Sequence, residues 1–181
     1  MDIFLRICEI EKLINDFVPI ASHDEIAVEV LKEAIAAAKN GTFGIGALLV
    51  NKVTGKIQYR GQNRVFTDFY SDLHAEMDLL NSFETIHKSK SRELLQNYIL
   101  FTSLESCPMC LCRIITAGVP EVYHLAEDPE GGMVHLYENL PPIWRELSKN
   151  RIYKKADCSA GLMDIAQEIF HLTYNLNERL R

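Results

Sequence analysis

Two short motifs hold the residues best suited to chemistry, and they stand 33 positions apart. The first is His74-Ala75-Glu76 and the second is Cys107-Pro108-Met109-Cys110. Residues three apart on a helix share a face, so Cys107 and Cys110 can reach one ion together. Two soft thiolates with one imidazole suit Zn²⁺, which takes nitrogen and sulfur ligands in a tetrahedron. Three protein ligands leave the fourth corner open, the mark of a catalytic site with one ion per chain. Each motif sits where a helix should begin, and the partial positive charge there favours the thiolate form. Glu76, two residues past the histidine, is a hard acid among soft ligands. A carboxylate in that place can take a proton from water activated by the ion and deliver it to a substrate, which is general acid–base catalysis.

The remaining thiols and imidazoles do not compete for this role. A C-x-x-C pair alone would serve a redox centre or a structural zinc site equally well; the upstream histidine and acid make it catalytic. Five cysteines, an odd number with three crowded between positions 107 and 112, make poor disulfide arithmetic. Cys112 faces another side of its helix and reads as a small buried hydrophobe, and Cys8 and Cys158 as core or surface residues. His23, His87, His124, His135 and His171 lack ligand spacing. Glu105 and Asp128 are candidate acids near the site, and Phe43, Phe66 and Tyr70 are candidate aromatic neighbours of a bound ring. Trp144 reads as structural.

The elements that must position these groups follow from apolar spacing. Helical periodicity predicts helices over 3–16, 24–39 and 74–85, the second with Ser22 or Asp24 as its cap and Asn40-Gly41 as its stop. GIGALLV (44–50) and residues 57–61 read as a hairpin turning at Thr54-Gly55. YILFTSL (98–104) reads as a strand leading straight into a helix over 107–118, which opens on Pro108 and stops at Gly118. A strand at 121–126, a loop or lid over 127–141, a short helix over 143–148, a strand over 150–156 and an amphipathic helix over 159–180 complete the chain. A hairpin followed by alternating helix and strand predicts an α/β fold, a three-layer α/β/α sandwich. The 181 residues are read as one domain, 1–181, with a helical extension over 1–20 and a lid, strand and helix over 127–181.

Composition narrows the setting. The formal net charge is −6, whereas binding to a polynucleotide usually leaves a basic footprint, so the balance argues against a nucleic-acid partner. The short basic clusters at Lys88, Lys90 and Arg92 and at Lys149, Arg151, Lys154 and Lys155 read as solvated surface. No apolar run approaches the ~20 residues that span a bilayer, so no membrane partner is expected. The N-terminus MDIFLRICEIEK lacks the pattern of a signal peptide, and the expected location is the cytoplasm.

The pairing of H-x-E with C-x-x-C is an established signature of zinc nucleobase deaminases. On these motifs the chain resembles the cytidine deaminase superfamily, in the branch that holds cytosine, guanine and transfer-RNA adenosine deaminases. The match runs from about Phe43 to Val122, and GIGALLV followed by GQNRVF and LHAE is similar to fungal-type cytosine deaminase in order and spacing. The resemblance implies a mixed five-stranded sheet and hydrolytic deamination of a free nucleobase or nucleoside, cytosine first and guanine second, with release of ammonia. It also implies a homodimer. By the same resemblance Asn63 hydrogen-bonds the substrate, Ile45 packs against its ring, and Ala75 and Cys107 supply backbone N–H groups. Ser106 stands where the family pattern usually has proline, so the turn loses some stiffness and no ligand. Two alternatives stay open: a transfer-RNA adenosine deaminase, and a non-catalytic zinc-binding subunit of the same fold, for which Glu76 would have no use.

Overall fold

A computed structural model describes residues 2–178. Its centre is a five-stranded mixed sheet in the order β2-β1-β3-β4-β5. Strand β1 (Gly46–Asn51) runs antiparallel to both β2 (Ile57–Gln62) and β3 (Tyr98–Leu104). Strands β4 (Glu121–Ala126) and β5 (Ile152–Lys155) then continue parallel to β3. Alternation along each strand divides the core in two. Leu48, Val50, Phe101, Tyr123 and Leu125 face one layer, with α1 (Ile3–Asn15), α2 (Asp24–Lys39) and α7 (Ala160–Glu178). Ala47, Leu49, Leu100 and Val122 face the other, with α3 (Ala75–His87), α4 (Ser91–Leu95) and α5 (Pro108–Ala117). Burial on both faces explains why the central strands read as continuous apolar runs. This is the expected three-layer α/β/α arrangement.

The helices form where their apolar spacing places them. Ile7, Ile10 and Ile14 bury one stripe of α1 against α2 and α7, and Asp2 caps that helix by accepting the N–H of Phe4 at 2.9 Å. Helix α2 lies so close to β1 that a Cβ at Gly46 would stand 2.6 Å from the Val30 carbonyl, which is why this strand begins on glycine. The expected cap of α2 takes another form. His23 precedes the helix without a side-chain cap, Ser22 bonds the Asp157 carboxylate, and Asp24 turns back to accept the N–H groups of Ile20 and Ala21.

Apolar spacing assigns no element to residues 86–97; the structure carries α3 on to His87 and then forms a 3-10 turn at Lys88–Lys90 and the short α4. That segment carries too few apolar residues for a periodic signal. The 127–141 loop contains a 3-10 turn at Tyr137–Asn139, and α6 (Pro142–Leu147) packs on α5. The last residues expected in the closing helix, 179–180, lie outside the described residues. No helix among the described residues is long and apolar enough to cross a membrane.

Candidate active site

His74 and Cys107 occupy the same structural position in two helices. Each is the residue preceding the first turn, His74 before α3 and Cys107 before α5, and both have extended backbone angles near φ −66°. Cys110 follows one turn into α5, buried. The ligating atoms of the three side chains all lie within 4.8 Å of one another. His74 Nδ1 stands 3.6 Å from Cys107 Sγ and 3.5 Å from Cys110 Sγ. A tetrahedral ion with bonds of about 2.0–2.1 Å to nitrogen and about 2.3 Å to sulfur puts those atoms about 3.6 Å apart, so the donor set fits zinc in spacing and in type. The Cys110 thiol hydrogen-bonds Cys107 and, against burial and together with His74, draws it down to about 4. That same bond, followed by burial, pushes Cys110 up.

Glu76 is the second residue of α3 and lies 3% exposed. Burial pushes its carboxyl up and the charge at Cys107 adds to this, opposed by its own N–H and by the Ser106 hydroxyl. Ser106 Oγ donates to Glu76 Oε1 at 2.8 Å. Both His74 and Glu76 open onto a cavity of about 240 Å³. Its size is below the ~300–1,000 Å³ of sites for drug-sized ligands, which suits one compact ring system.

Asn63 and Ile45 line the cavity, beside Phe43. Asn63 is buried, and its Oδ1 accepts from the Thr42 hydroxyl at 2.6 Å and from the Val65 N–H at 3.1 Å. A backbone N–H can only donate, so the amide orientation is set and Nδ2 is the group left over. That Nδ2 is buried without a hydrogen-bond partner among the described residues. Ala75 is different. Its side chain is buried between α3 and the sheet and does not line the cavity, so only its backbone N–H at the helix start could serve.

The rest of the lining comes largely from the chain beyond residue 126. Asp128 and Gly131 enter from the loop after β4, and Phe170 and Tyr174 from α7. Glu105 organises that loop. It accepts the N–H groups of Asp128 at 3.1 Å and His135 at 2.8 Å, and it meets His135 Nδ1 at 2.8 Å. Burial raises the Glu105 carboxyl, yet these donors outweigh it and hold the group below its ordinary range. The loop folds so tightly here that a Cβ at Gly132 would fall 2.5 Å from the Glu105 carboxyl carbon. Helix α7 is pinned by the Gly44 N–H, which donates to Thr173 Oγ1 at 2.9 Å, and Tyr174 stacks on Phe43 with ring centroids 6.1 Å apart.

The candidate aromatic neighbours divide. Phe43 lines the cavity, Phe66 packs behind it at 5.1 Å, and Tyr70 is exposed and does not line it. Sequence reasoning missed Phe170 and Tyr174 altogether. The available signal was their spacing of four on one helix, which puts two rings on one side. Cys112 and Trp144 pack in a small cluster around Leu111, Ile115 and Leu140, as structural residues.

Residues 21–126 match the family described as the cytidine and deoxycytidylate deaminase zinc-binding region. The chain is 31% identical over 144 residues to a tRNA-specific adenosine deaminase of Bacillus subtilis, covering 79% of this chain and 83% of that protein. It is 32% identical over 123 residues to the guanine deaminase of the same organism, covering 68% of this chain and 73% of that protein. A solved tRNA:A34 deaminase, which edits adenosine to inosine at the tRNA wobble position, superposes with a TM-score of 0.63 at 26% identity, covering 77% of this chain and 94% of that one. These similarities overturn the inference from acidic composition, since two of the proteins are named for action on tRNA. Net charge sums the whole surface and does not describe the potential of one groove. The chain belongs to the cytidine deaminase superfamily, its cofactor is zinc, and His74, Cys107 and Cys110 are the side chains grouped to hold it.

Proposed function

Taking that membership as the premise, we propose that the protein removes the exocyclic amino group of a free nucleobase by hydrolysis, with guanine foremost. The observation that carries this reading is the polar pattern of the cavity. Asn63 Nδ2 is a buried donor awaiting an acceptor. Glu105 has both oxygens engaged, Oε1 by His135 and Oε2 by the Asp128 N–H. Asp128 lines the cavity, and its Oδ1 accepts from the Glu130 and Gly131 N–H groups, so the carboxylate offers Oδ2 as a further acceptor. A donor at Asn63 and an acceptor at Asp128 suit a ring bearing a carbonyl beside an N–H, as guanine and cytosine do. Phe43, Phe170 and Tyr174 add stacking surface for a two-ring base, and Ile45 packs at its edge. The similarity to a guanine deaminase supports the same order. The motif spacing that resembles fungal-type cytosine deaminase keeps cytosine next.

Zinc, when bound, supplies the Lewis acid that makes water a nucleophile near neutral pH. Glu76 is the proton carrier: its raised carboxyl takes the proton that the water sheds and passes it to the departing nitrogen. As the C–O bond forms, the ring C=N bond opens and its nitrogen takes up one proton of the water; the second passes by Glu76 to the amino group, the C–N bond breaks, and a ring carbonyl and ammonia result. Asn63 orients the ring through its carbonyl. Ala75 and Cys107 contribute through backbone N–H groups at helix starts, where donors have no helical partner.

A second reading is deamination of adenosine within tRNA, favoured by the 31% identity across 79% of the chain. Both are tested by incubating zinc-loaded protein with guanine, cytosine, their nucleosides, adenosine and tRNA, and measuring ammonia. Guanine should be turned over with kcat/KM above ~10⁴ M⁻¹s⁻¹ and ahead of every other compound. Turnover confined to tRNA would replace the free-base reading with the second. A fully zinc-loaded protein inert on the whole panel would point to a non-catalytic subunit.

A further inference from the structure

We propose that Ser106 is a positioning residue for Glu76, holding its carboxylate in the orientation that proton transfer requires. This rests on the reading of Glu76 as the proton carrier. The two residues come from separate elements, Glu76 from the first turn of α3 and Ser106 from the link between β3 and α5. Both are buried, at 3% and 1% exposure, and the 2.8 Å contact between Oγ and Oε1 is an ordinary charge-assisted hydrogen bond. A glutamate side chain has three rotatable bonds, and at this depth it has few polar groups to choose between. A carboxylate only accepts, so the serine hydroxyl must be the donor.

Among the described residues, the Ser106 hydroxyl is the side-chain donor hydrogen-bonded to the Glu76 carboxylate. Ser106 is itself held firmly. Its carbonyl accepts the Met133 N–H at 2.9 Å, Glu105 before it anchors the loop, and Cys107 after it stands at the N-cap of α5. Proline at this position, the residue the family pattern usually has, would stiffen the turn yet offer Glu76 no hydrogen. This chain has a donor aimed at the acid where that pattern has a rigid turn.

The test compares Ser106→Ala and Ser106→Thr with wild type in full-length, zinc-loaded protein. Zinc content is measured, then kcat and KM on the panel compound turned over, then the ¹³Cδ resonance of Glu76 in glutamate-labelled protein, assigned by its loss in Glu76→Gln. Zinc should stay stoichiometric in all variants. Ser106→Ala should lose kcat about tenfold with KM within about twofold, because only the reacting geometry is disturbed. Its Glu76 resonance should move, and Ser106→Thr should restore both readouts. Wild-type kcat with an unmoved resonance in Ser106→Ala overturns the proposal, as does a loss that follows zinc content instead of the resonance. An active Glu76→Gln overturns the proton-carrier reading beneath it, and the two failures are thereby told apart.

Discussion

The cavity has two walls built by different means. The metal wall is made of helix starts: His74 and Cys107 share one backbone conformation before α3 and α5, and Cys110 and Glu76 follow within a turn. Its geometry follows from local rules, namely which residue precedes a helix and which lie one turn apart. The closing wall is made of Asp128, Gly131, Phe170 and Tyr174, drawn from a loop and a helix far along the chain. Nothing local puts those four together. They meet because Glu105 staples the loop to the end of β3 and because Thr173 and Asp24 fasten α7. The contrast suggests a division of labour in which the metal wall carries the reaction and the closing wall selects the ring.

The sharpest way to break that division is through the metal wall. Cys107→Ala should lose zinc and all turnover together, because two ligands do not hold the ion in place. Glu76→Gln should keep its zinc and lose kcat by about 10²–10⁴-fold, the usual contribution of a positioned acid–base group. Metal analysis beside ammonia release reads both. A Glu76→Gln protein with unimpaired turnover would show that the proton travels by another route, and the metal wall would no longer account for the chemistry.

The same contrast explains what could be read from sequence. Cys107 and Cys110 were legible because they stand three apart on a helix, and His74 and Glu76 because an imidazole followed two residues on by an acid completes the motif. The five-strand architecture was legible because each strand alternates or runs apolar between turn residues, as in YILFTSL. Asn63 and Ile45 came from resemblance, and the structure puts both in the cavity. Glu105 and Asp128 were only suspected, since an acid in a loop is ordinary until its partners are seen. Phe170 and Tyr174 escaped because an aromatic on an amphipathic helix is nearly always core, and only the docking of α7 turns them toward the site. Ser106 looked like a loss of stiffness; its hydroxyl gained meaning only when α3 brought Glu76 within 2.8 Å.

Sharpening the closing wall needs substitutions that spare the metal. Phe170→Ala and Tyr174→Ala should each retain zinc and raise KM about tenfold, with a smaller effect on kcat, since stacking on a base is worth ~1–3 kcal/mol. The preference among bases should narrow as well. Steady-state kinetics with guanine and cytosine measure this. A collapse of kcat at unchanged KM would mean that α7 acts on the reaction itself and that the two walls are not separable.

The smallest effect concerns how the closing wall is fastened. Asp24 is fully buried at the start of α2, and its carboxylate accepts the N–H and hydroxyl of Ser159, the residue before α7, at 2.7 Å each. Burial raises this carboxyl, but the N–H groups of Ala21, Ile20 and Ser159 and the Ser159 hydroxyl outweigh it and bring it to about 2. A carboxylate whose pKa falls on folding contributes stability that is present above its unfolded value near ~3.9 and is lost as pH falls through the folded one. Asp24→Asn keeps the shape and removes the charge, so at pH 7 it should lower unfolding free energy by about 1–2 kcal/mol. Urea unfolding of both proteins from pH 7 downward should show that gap closing between about pH 4 and pH 2, as wild-type Asp24 takes up its proton. Zinc content should not change. A gap of zero at pH 7, or one that widens in acid, would mean that the Asp24 carboxylate does not help to hold α7, and Asp24 would drop out of the account of how Phe170 and Tyr174 reach the cavity.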